Sequence, residues 1–168
     1  MQFRVDQRFD ATPAAVMALY TDPEFYAALV GLPKISPPEV QSHDRDGDRV
    51  RMKIRYKFTA DLPAAALAVL DPKKLTWVED STYDLAANTF SSKLLPDHYP
   101  DRLVAGARGS VEEASADPPR STRRIQGDVT VRMPFVGGQV EKAIVSGLRE
   151  HLGDEERIAA RWLRGDRS

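Results

Sequence analysis

The sequence predicts an α+β fold in which one curved antiparallel sheet of about seven strands holds a long C-terminal helix. Two observations carry this prediction. Apolar residues recur at helical spacing over about 136–163, and the earlier chain alternates apolar and polar residues in short segments joined by turns. No succession of strand, helix and parallel strand appears, so we expect one antiparallel sheet and a single domain over residues 1–168.

The start of the chain predicts a strand followed by two short helices. Residues 2–9 alternate apolar and polar side chains, which is the pattern of a half-buried strand. The pairs Thr12-Pro13 and Asp22-Pro23 each put a capping residue before a proline, as is typical of a helix start. We therefore expect two short helices in succession, the second of which ends at Gly31.

Residues 40–58 give the clearest hairpin, with its turn at Asp46-Gly47. After the turn, apolar residues alternate with a basic row formed by Arg49, Arg51, Lys53, Arg55 and Lys57. This row is either a surface for acidic lipid or nucleic acid, or the solvated outer face of a sheet, partly neutralised by acids such as Asp80 and Asp84. We favour the solvated face because no aromatic residues interleave the row and the net charge of the chain is −1.

The middle of the chain predicts further strands around two irregular segments. Residues 61–70 indicate a short helix or an irregular crossing, and residues 96–100 indicate a loop rich in proline. Alternation marks the expected strands at residues 75–85, 90–94, 103–113 and 124–133. The last two carry small inner residues such as Ala107 and Gly109, which leave room either for a close helix or for a cavity.

The final helix is predicted to cross most of the molecule, since some 28 residues at ~1.5 Å each span roughly 40 Å. Its apolar stripe consists of Val136, Val140, Ile144, Leu148 and Leu152. Charged residues, Glu141 and Glu155 among them, are assigned to the opposite face. The pair Gly137-Gly138 at the helix start is either a loop-to-helix joint or bare backbone that a neighbour or a ligand approaches closely.

Composition excludes several classes of protein. The chain has no cysteine, which rules out disulfides, thiolate metal sites and a cysteine nucleophile, and agrees with a reducing compartment. The net charge of −1 provides no overall attraction to nucleic acid or to membranes. No run of about 18 apolar residues marks an integral membrane segment, and we expect a cytoplasmic protein.

At this level of detail the chain resembles the START-like, or helix-grip, superfamily of carriers for lipids and other hydrophobic ligands. The resemblance covers almost the whole chain and is carried by residues 9–16 (FDATPAAV), 21–25 (TDPEF) and, most strongly, 127–141 (GDVTVRMPFVGGQVE). Within the superfamily the chain is most similar to an actinobacterial family of unknown function, family 2505. The resemblance implies a deep, mostly apolar cavity between the sheet and the helix. It leaves the substrate open, because the superfamily includes lipid transporters, polyketide cyclases, coenzyme Q-binding proteins and chaperone activators.

The residues expected to bind a ligand in such a cavity are Tyr56, Trp77, Tyr83, Phe90, Ala107, Gly109, Val129, Val131, Val140, Glu141 and Ile144. The aromatic ones among them either line a pocket or fill a dry core. Glu141 is expected to bind a polar head group of the ligand, or instead to answer the helix dipole or a nearby arginine. Glu79 is a weak catalytic candidate: an inward carboxylate would have a raised pKa and could act as a general base, whereas an edge position would leave it in water.

The histidines His43, His98 and His151 share no metal-ligand spacing, and we expect surface or packing roles for them. We expect no metal, no cofactor and no nucleic-acid partner. The leading hypothesis is binding or transport of a hydrophobic small molecule such as a lipid, isoprenoid or polyketide-like compound. The alternatives are a cyclase or hydrolase that uses Glu79 or Tyr83, and a protein-interaction module with a collapsed cavity. The sequence leaves the ligand and the oligomeric state open.

Overall fold

The computed structural model describes residues 1–59, 64–67 and 71–167, without the side chains of residues 65 and 66. Its strands are β1 (Gln2–Phe9), β2 (Glu39–Asp46), β3 (Arg49–Lys57), β4 (Thr76–Asp84), β5 (Thr89–Pro96), β6 (Leu103–Ala116) and β7 (Pro119–Val131). Its helices are α1 (Pro13–Tyr20), α2 (Pro23–Ala27), α3 (Ala64–Leu67) and α4 (Gly137–Leu163), with a 3-10 turn at Pro72–Lys74. Of the segment predicted over 61–70, everything except α3 lies outside the described residues.

The described strands form one antiparallel sheet of seven strands in the order β1-β7-β6-β5-β4-β3-β2. After β1 the chain passes through α1 and α2 to the far edge of the sheet, and each later strand pairs with the one before it until β7 reaches β1. The α+β prediction, with its seven strands, two short helices and long C-terminal helix, is confirmed. Tight turns and period-two alternation decide this topology, because they allow only antiparallel neighbours.

The two short helices begin where their sequence signals predicted. The Thr12 side chain accepts a hydrogen bond from the Ala15 backbone N–H at 3.3 Å, and Asp22 accepts one from the Glu24 N–H at 2.9 Å. Each cap satisfies a backbone donor that has no partner within the helix. Both helices then bury their apolar side against the sheet and α4.

Aromatic side chains from four elements pack edge to face at one end of the molecule. Phe9 of β1 lies 6.2 Å from Tyr20 of α1, which lies 5.5 Å from Phe25 of α2. Phe25 in turn lies 5.9 Å from Trp162 near the end of α4. Each such pair adds roughly 0.5–1.5 kcal/mol to its area burial. This aromatic core therefore ties the C-terminal end of α4 to both short helices.

The basic row lies on the outer, solvated face of the sheet, as favoured above. Arg51 Nη2 pairs with Asp80 at 2.7 Å, and Arg55 Nη1 pairs with Asp97 at 2.6 Å. Asp80 was predicted as a partner, whereas the second acid is Asp97 of the β5–β6 loop and not Asp84. Exposed pairs of this kind contribute little to stability. They neutralise two of the five cations in the row.

The helix α4 is fastened to the sheet and the amino terminus at two points. Near its start, Glu141 accepts a hydrogen bond from the Val131 N–H at 2.9 Å and pairs with the amino group of Met1 at 3.1 Å. Past its middle, Gln7 Nε2 donates to the Leu152 carbonyl at 2.7 Å, and the Arg8 N–H donates to Glu156 at 2.7 Å. One side of the helix between these two anchors lines a cavity.

Of the two interpretations of the glycine pair, close approach to a neighbour holds for Gly137. A Cβ on Gly137 would lie 2.5 Å from the Val131 carbonyl oxygen, whereas a Cβ on Gly138 would have nothing within 4 Å. The helix start can therefore reach the end of β7 only because residue 137 has no side chain.

This difference gives a matched pair of substitutions. Gly137→Ala should lower the free energy of unfolding by about 1–3 kcal/mol, because the methyl group pushes the helix from β7. Gly138→Ala should leave it unchanged or raise it by up to about 1 kcal/mol, because alanine is the better helix former. Urea unfolding of the three proteins measures both effects. Equal effects of the two substitutions would contradict the close approach at Gly137.

Candidate functional site

A cavity of about 800 Å³ lies between the inner face of the sheet and α4. Its lining is mostly apolar, and its volume is within the range of pockets that hold small molecules. The lining residues that are exposed to solvent mark its mouth: Pro33, Thr59, Lys74, His98, Arg102 and Ser146. The mouth is therefore bounded by the loops after β3 and β5, by the connector before β2, and by the first half of α4.

Aromatic pairs form one wall of the cavity. Tyr56 stacks on its cross-strand partner Trp77 at 5.7 Å, and Tyr83 stacks on its partner Phe90 at 5.8 Å. Tyr56, Tyr83 and Phe90 are buried, yet all four residues also line the cavity. The sequence analysis left open whether these aromatic residues line a pocket or fill a dry core. They do both, since the rings pack on one another and also line the cavity.

Small residues on β6 form the opposite part of the sheet wall. Ala105, Gly106 and Ala107 line the cavity, and their short side chains provide much of its width. Gly109 does not line it. A Cβ on Gly109 would lie 2.4 Å from the Phe90 ring, so the space at Gly109 is filled by that ring.

The structure brings most of the predicted residues together around the cavity: Tyr56, Trp77, Glu79, Tyr83, Phe90, Ala107, Val129, Val131, Val140 and Ile144. Gly109 and Glu141 lie elsewhere. Glu141 binds the Val131 N–H and the amino terminus, and these contacts lower the pKa of its carboxyl. It therefore forms the first anchor of α4. The binding role of the residues that do line the cavity stays a prediction.

A buried polar network closes the inner end of the cavity. Arg123 Nη1 donates to Gln7 Oε1 at 2.7 Å and to Glu155 Oε1 at 3.3 Å. Gln7 Nε2 donates to the Leu152 carbonyl, and the Tyr20 hydroxyl donates to Gln7 Oε1 at 3.3 Å. Strands β1 and β7 and helix α4 are thus joined through one guanidinium group.

The guanidinium group of Arg123 lies over two aromatic rings. It lies 3.8 Å from the Tyr20 ring centre and 4.6 Å from that of Phe90. Burial by itself lowers the pKa of Arg123, but Tyr20 and Glu155 beside it raise the pKa overall. The arginine therefore stays charged, and stacking with hydrogen bonds fixes its position.

Glu79 and His151 lie on the cavity side of this network. Glu79 is on β4, between β3 and β5, so the edge position considered above is wrong. Ser81 Oγ donates to Glu79 Oε1 at 3.0 Å, yet burial raises the pKa of the Glu79 carboxyl. His151 Nε2 lies 3.7 Å from Glu155 Oε2, and His151 Nδ1 is buried without a hydrogen-bond partner.

The sequence prediction missed the network, although signals for it exist. Gln7 has the same strand parity as the inward Phe9, and Arg123 has the same parity as the inward Ile125. Glu155 was assigned to the solvent face of the helix, which is wrong, since it is buried. It lies three residues after Leu152, so helical spacing places it on the apolar stripe.

Two features are not found within residues 1–59, 64–67 and 71–167. No group of three or more histidine, cysteine or acidic side chains is placed to hold a metal ion. No helix there combines the length and the apolar character needed to cross a bilayer. Of the other histidines, His43 is exposed on β2 and His98 is exposed at the mouth of the cavity.

The Arg123–Glu155 pair predicts a strong coupling in stability. Arg123→Met should lower the free energy of unfolding by about 3 kcal/mol or more, because Glu155 is then buried without its partner. Arg123→Met combined with Glu155→Met should cost less than the sum of the single changes, because no unpaired charge remains. A double-mutant cycle by urea unfolding measures the coupling. Additive effects would show that the two side chains do not interact.

The raised pKa of Glu79 predicts how the free energy of unfolding changes with pH. Its pKa is raised in the folded state, so the folded protein holds the proton more tightly than the unfolded chain, where the pKa is about 4.3. The free energy of unfolding should therefore fall as pH rises from about 4.3 through the raised pKa. Glu79→Gln should abolish that fall, as seen by urea unfolding between pH 4.5 and 8.

Asp80→Asn is the control for this measurement. Asp80 is the next residue on the strand and points outward, and its hydrogen bond to Arg51 lowers its pKa. The stability that the charged Asp80 carboxylate contributes is lost only when the pH falls below the usual pKa range of a carboxyl group. The Asp80→Asn protein should thus keep the wild-type trend above pH 5. A Glu79→Gln protein with that same trend would contradict the assignment to Glu79.

Comparison with known proteins places the chain in a family. The sequence matches the family described as "Protein of unknown function (DUF2505)" over residues 4–163. No curated protein matches it. Solved structures with the same fold include TTHA0849 from Thermus thermophilus, with 16% identity over 95% of this chain and 97% of that one and a TM-score of 0.67.

Two further structures give the same result. The Zhui aromatase/cyclase from Streptomyces sp. R1128 is 12% identical over 99% of this chain and 93% of that one, with a TM-score of 0.59. A START superfamily protein from Mycobacterium smegmatis is 18% identical over 92% of each chain, with a TM-score of 0.52. At these identities the likeness extends to the fold alone. The chain thus belongs to the DUF2505 family, and its curved sheet around a terminal helix is the START-like helix-grip fold.

Proposed function

We propose that the protein binds and carries a hydrophobic small molecule, such as a lipid, an isoprenoid or a polyketide-like compound, in the cavity under α4. The observation that supports this most is the cavity itself, about 800 Å³ of mostly apolar space that opens to solvent. Burying about 300 Å² of apolar ligand surface there would contribute about 7 kcal/mol before the costs of association are deducted. Burial of apolar surface would thus be the main contribution in favour of binding.

A hollow of this size also argues for an occupant on grounds of packing. Protein interiors are packed as densely as organic crystals, and apolar surfaces around a void lose their dispersion contacts. Core residues outside the cavity obey that rule, since Val16, Phe25 and Leu29 have no solvent-exposed surface. An apolar ligand would restore the missing contacts.

Catalysis on such a ligand is the second candidate, and one observation favours it. Glu79, a carboxyl with a raised pKa, faces an apolar cavity that also contains His151 and Tyr83. Burial raises the pKa of Tyr83 to about 12, so that residue would act as a neutral hydrogen-bond donor and not as a base. The third alternative, an interaction module, required a collapsed cavity, and the cavity is open.

The binding proposal predicts a difference between two adjacent positions on β6. Ala105 lines the cavity, whereas Val104 points to solvent from the outer face. Ala105→Trp should weaken binding of the apolar fluorophore N-phenyl-1-naphthylamine by about tenfold or more, which corresponds to about 1.4 kcal/mol, because the indole fills the space. Val104→Trp should leave binding unchanged. Fluorescence titration measures both dissociation constants.

The same proteins serve in native mass spectrometry after mild purification. Retained apolar mass on the wild type and on Val104→Trp, but not on Ala105→Trp, is the expected result. Failure of the fluorophore to bind the wild type, together with no retained mass, would overturn the binding proposal. If binding occurs, Glu79→Gln separates the second candidate: a catalyst would lose turnover of its bound compound, whereas a carrier would still bind and release its ligand unchanged.

A further inference from the structure

At the inner side of the cavity, some hydrogen-bonding atoms have partners within the protein and others have none. Glu79 Oε1 accepts a hydrogen bond from Ser81, whereas Glu79 Oε2 accepts none from the described residues. His151 Nδ1 is buried and has no partner. Both side chains line the cavity, and His151 is close enough to Glu79 to affect its pKa. Glu79 thus offers the cavity an oxygen that has no hydrogen-bond donor, whereas His151 Nδ1 is covered by surrounding protein atoms.

The buried cation nearby, Arg123, belongs to the network described above. Arg123 Nη1 donates to Gln7 and Glu155, and the guanidinium group lies over the rings of Tyr20 and Phe90. Arg123 Nε is buried without a hydrogen-bond partner. Burial is the main cause that raises the pKa of Glu79 and the charge of Glu155 adds to it, whereas the Ser81 hydrogen bond, Arg123 and His151 act to lower it.

We propose, building on the proposed carrier function, that Glu79 forms a subsite for a ligand head group that donates hydrogen bonds, a hydroxyl or a protonated amine, in preference to a carboxylate. A hydroxyl donates to Glu79 Oε2 without adding charge. An ammonium group donates to the same oxygen and pairs with the Glu79 carboxylate. A carboxylate head group has no proton to donate to Glu79, and it would be buried beside Glu79 and Glu155 in a region of low dielectric.

The apolar part of such a ligand has a place beside the subsite. Leu94, Ala105, Ile144 and Leu148 line the cavity and carry no polar side-chain atoms. The cavity therefore combines an apolar wall with a small acceptor site, which is the usual arrangement for recognising an amphipathic molecule. The acceptor sets the orientation, and burial of the chain supplies most of the affinity.

Three ligands that differ only in head group test the proposal: dodecan-1-ol, dodecylamine and dodecanoate. Each displaces N-phenyl-1-naphthylamine from the wild type at pH 7.5, at concentrations below micelle formation. The alcohol or the amine should bind about tenfold or more tightly than dodecanoate, a difference of about 1.4 kcal/mol. The ratio between the alcohol and the amine identifies which donor the subsite prefers. Dodecanoate binding as tightly as both donors would overturn the proposal.

Variants assign the preference to the named side chain. Glu79→Gln removes the carboxylate and adds donors, so dodecanoate should approach the alcohol to within about threefold in affinity. Asp80→Asn, the outward neighbour, should keep the wild-type preference. An unchanged preference in Glu79→Gln would overturn the role of Glu79. If Glu79→Gln does not fold, the ranking of the three ligands on the wild type decides by itself.

Failure of this subsite is distinguishable from failure of the carrier function. If the fluorophore enters the wild type and dodecanoate binds best, the subsite is wrong and the carrier function stands. If neither the fluorophore nor any of the three ligands binds, both proposals fall.

Discussion

The structure depends on the way α4 is fastened at two points while one side of the segment between them lines a cavity. At the first point, the backbone of Gly137 lies against the Val131 carbonyl and Glu141 holds the Val131 N–H. At the second, Gln7 holds the Leu152 carbonyl and Arg123 holds Glu155. A helix fixed only by an apolar stripe would settle onto the sheet and close the space, because burial has no preferred direction. Polar contacts at defined distances fix the helix at both points and leave room for a cavity between them.

The second anchor of α4 lies between a tightly packed part of the molecule and the part that contains the cavity. In the packed part, the rings of Phe9, Tyr20, Phe25 and Trp162 interlock around the C-terminal half of α4. In the part that contains the cavity, small residues on β6 and aliphatic residues on α4 face one another across open space. Arg123 lies at the boundary, stacked on Tyr20 from one part and on Phe90 from the other. One side chain thus supports the core and forms the inner wall of the cavity.

The architecture could be predicted from the sequence because local patterns determine it. Alternation found the strands, the Asp46-Gly47 turn found the hairpin, and helical spacing found α4. The burial of Glu155 was not found, because its partner Arg123 lies 32 residues earlier on another element. A buried charge is tolerated only beside a partner of opposite charge. Because the partner of Glu155 is on another element, the sequence of α4 alone indicates a solvent-exposed acid at this position. Gly109 was misplaced for a similar reason, since its space is filled by Phe90 of the neighbouring strand.

The buried network also limits which substitutions could alter the ligand preference of the cavity. A buried ion pair contributes little net stability, yet removing one partner is costly, so Arg123, Glu155 and Gln7 constrain one another. The residues of the apolar wall carry no such constraint. They border open space, so a change in their size alters the cavity without forcing neighbours apart. We therefore expect the network to be the fixed element of the fold and the wall to be the variable one. Glu79 lines the cavity beside the network without being one of its hydrogen-bonded members, so a change of that side chain would alter the preferred head group at little cost to the fold.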